Sequence, residues 1–316
     1  MNLNTSFFRP ILGATSGLLL ALAAVEAPAG AGDFLETPMF RDAVRDGTMP
    51  PVDKRVPAEP SVVKLDGNKQ IGRHGGDIKM LIGRARDVRL LVVYGYARLV
   101  GYNEQFEIEP DILRAVDSDD GRVFTLHLRK GHRWSDGAPF TSEDFRYWWD
   151  DVANNPNLSP SGPPIDMLVD GQPPIFEVID ETTVRYSWAS PNPSFLGRLA
   201  GASPLFIYRP AHFLKKFHID HATPEQLEAN ASGARSWAAR HNRVDNLYKF
   251  DNPDLPTLQP WMNVTRPPAS RFEAQRNPYY HRIDEKGRQL PYVDRVFMSQ
   301  ASAQLIPAKA GSGEVD

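Results

Sequence analysis

The clearest alternation of apolar and polar positions lies within residues 122–152. Phe124, Leu126 and Leu128 alternate with polar residues, which predicts a half-buried strand. After two turn sequences, Thr141 stands where a helix N-cap is expected, because its hydroxyl can accept a hydrogen bond from the first turn. The large apolar residues that follow recur with the spacing of one helix face, at Phe145, Trp148, Trp149 and Val152. This stretch therefore predicts a strand, a turn and a helix whose aromatic face is buried.

Similar local patterns predict the other elements. Strands are predicted at residues 77–82, 176–179, 183–188, 272–276 and 292–298. Helices are predicted within residues 190–201, from Pro210, from the capping box at Thr223 and over residues 301–310. Residues 32–72 and the loop at 252–268 are rich in proline and are predicted to be irregular. Residues 314–316 resemble the start of a further strand.

Composition and charge exclude several classes of partner and site. With 41% apolar and 24% charged residues, the 316-residue chain has the composition of a soluble protein that can bury a core. The net charge is −3 and the basic residues are scattered, which argues against nucleic acid or an anionic membrane as a partner. The absence of cysteine excludes disulfides, thiolate metal sites and a lipid-anchored cysteine.

The first 31 residues are predicted to be a secretory signal peptide. Arg9 precedes an apolar run over residues 11–25, and Ala29-Gly30-Ala31 supplies a small-x-small cleavage pattern. The run is shorter than the roughly 18 residues expected of a spanning helix. The alternative is an uncleaved anchor or a buried helix. Export of a cysteine-free protein favours a periplasmic location.

The sequence contains no recognised catalytic motif. No phosphate-binding loop, dinucleotide-binding glycine pattern, HExxH metal motif or GxSxG nucleophile elbow occurs in it. Paired carboxylates are predicted to be cap and solubility charges on the polar side of the aromatic helix, at Glu143, Asp144, Asp150 and Asp151. Three neighbouring tryptophans, Trp134, Trp148 and Trp149, could form a stacking platform, but their spacing favours core packing. We therefore expect no catalytic residue and no cofactor.

The best candidates for metal ligands are the histidines of the segment His218-Ile219-Asp220-His221, with His212 upstream. Imidazoles three residues apart can share a helix face, but the sequence offers no evident third ligand. A polar surface cluster is the favoured interpretation, and no metal site is predicted.

Four sequence segments resemble one family of binding proteins. The string LHLRKGHRWSDGAPFTSEDF at residues 126–145 resembles the signature of the extracellular solute-binding proteins of ABC importers, family 5. Members of this family take up peptides, nickel chelates, opines and some oligosaccharides. Three further segments fit it: GGDIKMLIG at 75–83, PDILRAVDSDDGR at 110–122 and RNPYYHRIDEKGRQLPYVDRV at 276–296. The resemblance covers residues 73–316.

The resemblance implies an α/β fold like that of class II periplasmic binding proteins. The chain would hold the first lobe with an inserted subdomain, and the second lobe would be largely absent. The expected segments are a signal peptide (1–31), an irregular leader (32–72), the first part of lobe I (73–105), the inserted subdomain (106–250), the continuation of lobe I (251–304) and the start of the crossover to the second lobe (305–316). On this interpretation the chain is the front part of a longer protein.

The resemblance also implies a binding function without catalysis. Such a protein, expected to be a monomer, binds a small solute between two lobes that close by hinge motion, and delivers it to a membrane permease with its ATPases. An oligopeptide is the first candidate solute, with opines, nickel chelates and sugars as others. Binding by this chain alone is expected to be weak, because one lobe offers only half of the contacts. The alternatives are a secreted hydrolase of peptidoglycan or glycans, and a truncated product that binds nothing.

The resemblance places the solute cleft next to the first predicted strand. In family members the loop after this strand lines the cleft, and that loop contains Gly83, Arg84, Arg86 and Asp87. The alternative from spacing alone is a solvated loop with ordinary surface charges. Three aromatic residues complete the predicted ligand-binding set, namely Tyr94, Tyr96 and Trp261, of which the last lies in the proline-rich loop.

Overall fold

The computed structural model describes residues 34–65 and 67–316, so the predicted signal peptide at 1–31 lies outside the described residues. The strands are β1 (Ser61–Val63), β2 (Asp77–Ile82), β3 (Val100–Tyr102), β4 (Ile108–Pro110), β5 (Leu113–Asp119), β6 (Val123–Leu128), β7 (Ile175–Asp180), β8 (Thr183–Ser187), β9 (Trp261–Asn263), β10 (Arg271–Arg276), β11 (Arg282–Asp284) and β12 (Arg295–Gln300). The α-helices are α1 (Arg41–Arg45), α2 (Val52–Arg55), α3 (Leu90–Gly95), α4 (Ser142–Arg146), α5 (Phe195–Ala200), α6 (Ala211–Leu214), α7 (Pro224–Asn230), α8 (Trp237–Val244) and α9 (Ile306–Gly311). Short 3-10 helices cover Pro38–Phe40, Ala85–Arg89, Ile165–Met167 and Lys215–Phe217, and a π-helix covers Tyr147–Ala153. Over the described ranges, no helix combines the length and apolar character that crossing a membrane requires.

Two four-stranded sheets organise the molecule. The first has the order β2-β12-β10-β9, in which β2 and β12 are parallel and the other neighbours antiparallel. The second has the order β5-β6-β8-β7 and is antiparallel throughout. Strands β1 and β11 form a parallel pair, and β3 and β4 an antiparallel pair. The expected mixed α/β fold is confirmed.

Aromatic side chains dominate the larger of two main hydrophobic cores. The helix face predicted from the sequence is buried there, and Phe145 is fully inaccessible to solvent. Because burying one large apolar side chain stabilises a fold by roughly 1.5–3 kcal/mol, this face anchors the segment firmly. A smaller core joins β2, β10 and β12 to α3, with Ile82, Phe272 and Met298 at its centre. The larger core includes Ala97 and Leu258, so it continues past both ends of the expected subdomain at 106–250, whose limits stay a prediction.

The N-cap of the aromatic helix is where the sequence predicts it, but the position of one of its carboxylates is not. Thr141 is the N-cap of α4, and its side chain accepts a hydrogen bond from the Glu143 amide at 3.3 Å. Asp144 is predicted to be a cap and solubility charge on the polar side of the helix. The capping role is confirmed, since Asp144 forms a capping box with Thr141, but the exposed position is wrong, since the side chain is buried. Its carboxylate accepts hydrogen bonds from the Trp134 indole and from the backbone amides of Thr141 and Ala211, each at 3.0 Å. Burial raises the pKa of Asp144 to about 6.

The N-terminal described segment is more ordered than its composition predicts. It contains α1, α2 and β1, and β1 pairs with β11 far along the chain. The fully buried Arg55 guanidinium donates to the Glu36 carboxylate at 2.6 Å and to the Pro278 carbonyl at 3.0 Å. These partners are distant in sequence, so no local pattern could indicate the order.

Four predictions for the C-terminal part of the chain are also corrected. The strand expected at 292–298 is β12 at Arg295–Gln300, and the helix expected at 301–310 shortens to α9 at Ile306–Gly311. Residues 314–316 form no strand, although the Asp316 amide donates to the Lys79 carbonyl on the edge strand β2 at 3.1 Å. Finally, Trp261 begins strand β9 instead of lying in an irregular loop.

Candidate functional site

The predicted solute-contacting loop begins where two parallel strands end together. Ile82 at the end of β2 pairs with Gln300 at the end of β12, and the amide of Ala301 donates to the Ile82 carbonyl at 2.9 Å. In α/β sheets, ligands commonly bind at the carboxyl ends of parallel strands. Gly83 is the first residue beyond this edge, so the predicted loop stands at such a position.

The loop is a short, locally stabilised turn with free positive charge. The Arg84 amide donates to the Asp87 carboxylate at 3.0 Å, and the Asp87 amide donates to the Arg84 carbonyl at 2.9 Å. Gly83, Arg84 and Arg86 are exposed, whereas Val88 of the same 3-10 helix is buried in the smaller core. Neither guanidinium forms an ion pair with a residue of the described ranges. The loop therefore presents two guanidinium groups without an ion-pair partner in the described residues, and the burial of Val88 holds its backbone in place.

The next helix presents an aromatic ring to solvent. Leu91 and Val92 of α3 are buried, while Tyr94 is 55% exposed. An exposed tyrosine offers a flat apolar surface with a polar tip, which suits contact with either a peptide or a sugar. The contact of Tyr94 with a solute thus stays a prediction, and the ring is accessible for it.

Tyr96 has its polar groups already engaged within the protein. It ends α3 in the left-handed region, at a φ of 44°. Its hydroxyl donates to the Ala200 carbonyl at 2.8 Å and accepts from the Tyr102 amide at 3.1 Å. The guanidinium carbon of Arg98 lies 5.0 Å from the ring centre. These contacts fix the ring in place, and they leave only part of its surface for a ligand.

A cluster of charged residues around the buried Asp111 carboxylate contacts the backbone of Tyr96. The Asp111 carboxylate accepts from Arg282 Nε at 2.8 Å and Nη2 at 2.7 Å, from His281 Nε2 at 2.8 Å and from the Arg98 amide at 2.8 Å. The same Arg282 Nη2 donates to the Tyr96 carbonyl at 2.7 Å. Burial alone would raise the pKa of Asp111, but the Arg282 charge and the His281 hydrogen bond hold it well below its usual range. Burial lowers the pKa of His281, so the imidazole is neutral at pH 7 and donates to the carboxylate.

Tyr96 and Arg282 also line an open groove of about 710 Å³ between β1 and the β3–β4 hairpin. The groove wall is largely polar, with Asn103, Glu104 and Glu109 on the hairpin side. Its size suits part of a solute, but its acidic groups Glu104, Glu109 and Asp111 are matched by the basic groups Lys64, Lys69 and Arg282, so the groove carries no net charge to attract an ion.

Trp261 lies away from the loop, on the other edge of the first sheet. Strand β9 is three strand spacings, or about 14 Å, from β2. The half-buried indole packs against the smaller core, and its Nε1 donates to the Val293 carbonyl at 3.2 Å. The structure therefore groups Gly83, Arg84, Arg86 and Asp87 in one loop and gives Trp261 a packing role in the described residues.

The supporting residues Asp111, His281 and Arg282 were missed as site components by sequence reasoning. All three lie within the strings that resemble the binding-protein family, at 110–122 and 276–296. That location was the available signal, but nothing in the local spacing indicates that these residues meet.

Comparison with known proteins gives a consistent picture. A family model described as bacterial extracellular solute-binding proteins, family 5 Middle, matches residues 107–316. The periplasmic alpha-galactoside-binding protein of Rhizobium meliloti strain 1021 is 28% identical over 296 residues, which are 86% of this chain and 40% of the relative.

Two solved structures are similar over most of the chain. The oligopeptide-binding protein OppA superposes with a TM-score of 0.80 and 31% identity, covering 90% of this chain and 44% of OppA. The periplasmic binding protein MelB of Agrobacterium fabrum C58, solved in complex with stachyose, gives a TM-score of 0.69 and 26% identity, with the same coverage of 90% and 44%. The chain thus spans less than half the length of these relatives.

Proposed function

Since the chain belongs to the bacterial extracellular solute-binding proteins of family 5, we propose that it is the periplasmic solute-binding component of an ABC importer, and that its solute is an oligopeptide. The observation that carries the proposal is the exposed Arg84 and Arg86 loop at the carboxyl ends of two parallel strands. The match to OppA over 90% of this chain supports a peptide as the solute. Its partners would be the peptide, a membrane permease and the ATPases of the importer.

The loop chemistry suits a peptide. Guanidinium groups donate in a fixed fork to carboxylates and carbonyl oxygens, and a peptide offers both along its backbone and at its C-terminus. Recognition through such main-chain groups leaves the side chains loosely specified. In this proposal Arg84 and Arg86 contact the peptide oxygens, Asp87 keeps the loop in shape, and Tyr94 packs on the peptide.

An alpha-galactoside is the second candidate solute. It is favoured by the alignment with the alpha-galactoside-binding protein, which extends over 86% of this chain, and by the likeness to the stachyose complex of MelB. Exposed aromatic rings such as Tyr94 stack on sugars, and arginine can donate to hydroxyl groups. A sugar has no carboxylate, however, so removing the two guanidinium groups would weaken its binding less than that of a peptide.

The family and its relatives are binding proteins, and no described carboxylate favours the alternative of a secreted hydrolase. Asp144 has the raised pKa of a possible acid, but its oxygens face three internal donors and the side chain is buried. It therefore has no route to a substrate, and the structural role explains it fully.

Saturation-transfer NMR, which detects weak ligands, tests the proposal with the purified chain. We expect saturation transfer to tripeptides, with a dissociation constant of about 1 mM, and weaker or no saturation transfer to stachyose. The double variant Arg84→Ala, Arg86→Ala should lower the peptide signal about tenfold, whereas the exposed Arg235→Ala, the control, should not. Unchanged peptide binding in the double variant, or stachyose binding that exceeds peptide binding, would refute the peptide proposal.

A further inference from the structure

Three potential metal-binding side chains from separate parts of the chain meet in one place. Asp151 belongs to the π-helix, and His218 and His221 belong to the turn after the 3-10 helix Lys215–Phe217. One potential ligand atom from each residue lies within 4.8 Å of the other two. We propose that Asp151, His218 and His221 form a binding site for a divalent transition-metal ion such as Zn²⁺. The sequence offered no third ligand, and the folded chain supplies Asp151.

The distances suit a small ion bound with tetrahedral geometry. His221 Nε2 lies 3.1 Å from Asp151 Oδ1, and a ring nitrogen of His218 lies within 4.8 Å of a ligand atom of each of these two residues. Zinc bonds of about 2.0–2.1 Å at tetrahedral angles place neighbouring ligand atoms about 3.3 Å apart. The two imidazole centres are 5.2 Å apart with their planes inclined by 51°, a separation that two imidazoles bound to one zinc ion can have. Small side-chain rotations complete the site, with water as the fourth ligand.

Outer contacts hold two of the ligands. Arg146 Nη2 donates to Asp151 Oδ2 at 3.0 Å, which leaves Oδ1 to face the histidines. His218 Nδ1 accepts from the Asp220 amide at 3.2 Å, so the ring proton sits on Nε2 and is donated to the Asp151 backbone oxygen. Metal binding needs the Nε2 lone pair, so the proton shifts to Nδ1 and the hydrogen bond from the Asp220 amide is given up. At Nδ1 the Asp220 carboxylate, whose Oδ2 is 3.7 Å away, becomes the acceptor of this proton.

The local charge also favours a cation. The ion pairs of Arg146 and the Asp220 contact of His218 together bring in more acidic than basic groups: the carboxylates are Glu143, Asp150, Asp151 and Asp220, and the cations are Arg146 and Lys215. A bound divalent ion would neutralise this excess. It would also tie the π-helix to the His218–His221 turn, which lies 67 residues further along the chain at its nearest contact.

Calorimetric titration of the purified, chelator-treated chain with zinc chloride tests the site. The test variant is His221→Asn, because this ring is at the surface and its loss should not prevent folding. The matched control is His212→Asn: His212 is also accessible and lies 2.7 Å from a carboxylate, that of Asp136, but no third ligand joins that pair in the described residues. Thermal unfolding with and without zinc provides the second measurement.

We expect one zinc ion per chain and a zinc-dependent rise in the melting temperature. His221→Asn should weaken zinc binding about tenfold or more and abolish the rise, whereas His212→Asn should change neither. Absence of zinc binding by the unaltered chain, or equal losses in both variants, would overturn the proposal. The outcome is independent of solute binding, since neither histidine belongs to the predicted solute loop.

Discussion

Replacing Asp111 with alanine should test how far one buried carboxylate supports both the fold and the predicted solute site. The side chain receives four hydrogen bonds of 2.7–2.8 Å, of which two come from Arg282. Alanine would leave the largely buried Arg282 guanidinium without its counter-charge and the fully buried His281 imidazole without its acceptor. Removing one partner of a buried ion pair typically costs about 3–5 kcal/mol. Since whole domains are stable by only about 5–15 kcal/mol, we expect Asp111→Ala to be strongly destabilised.

Urea unfolding followed by tryptophan fluorescence gives the measurement, because the buried tryptophans report loss of the core. The control is Asp117→Ala, which removes a mostly exposed carboxylate that contacts His127 at 2.8 Å. This change should cost less than about 0.5 kcal/mol. If the free energy of unfolding of Asp111→Ala lies within about 1 kcal/mol of that of the unaltered chain, the charge of Arg282 is satisfied elsewhere and the reasoning is wrong.

The pH dependence gives an independent check that uses the milder variant Asp111→Asn. The pKa of Asp111 is depressed in the folded state, and the ordinary value in an unfolded chain is about 3.9. Its stabilising contribution is therefore fully present above that value and is lost as the pH falls below it. The stability difference between the unaltered chain and Asp111→Asn should be constant above about pH 5 and should shrink below about pH 4. A constant difference down to the acid transition would contradict the assignment.

Three further predictions concern local features of the fold. Gly95→Ala should cost about 1–3 kcal/mol in urea unfolding, because the added Cβ would lie 2.8 Å from the ring of Pro260; a neutral result would mean that this ring moves easily. Thr141→Ala should cost about 1 kcal/mol through the lost helix cap, whereas Thr141→Ser should be nearly neutral; equal costs would contradict a capping role. Asp144→Asn should remove a pH dependence of stability. Because the pKa of Asp144 is raised to about 6, the free energy of unfolding of the unaltered chain should rise on the order of 2 kcal/mol, relative to that of the variant, as the pH falls from 7 to about 4. A fall in this relative stability over the same range would contradict the prediction.

The sequence by itself determined the elements that neighbouring residues encode. The alternation at Phe124, Leu126 and Leu128 predicted β6, and Thr141 and Thr223 marked the N-caps of α4 and α7. Each of these signals depends on contacts within a few residues or on the side-chain period of one element. The family resemblance added the α/β fold and the binding-protein family, which the comparisons confirm.

Only the tertiary structure decided which polar groups became supports. Asp111 meets Arg282 across 171 residues, and Asp151 meets His218 across 67. Asp144 follows an N-cap in sequence, as a surface carboxylate would, yet the folded chain covers it with Trp134 and Ala211. Such contacts depend on the path of the whole backbone, since a side chain finds a distant partner only after the sheets and cores have positioned both. Local pattern therefore predicts where helices and strands begin, and the packing of the chain determines which charges are buried, paired or left free to bind.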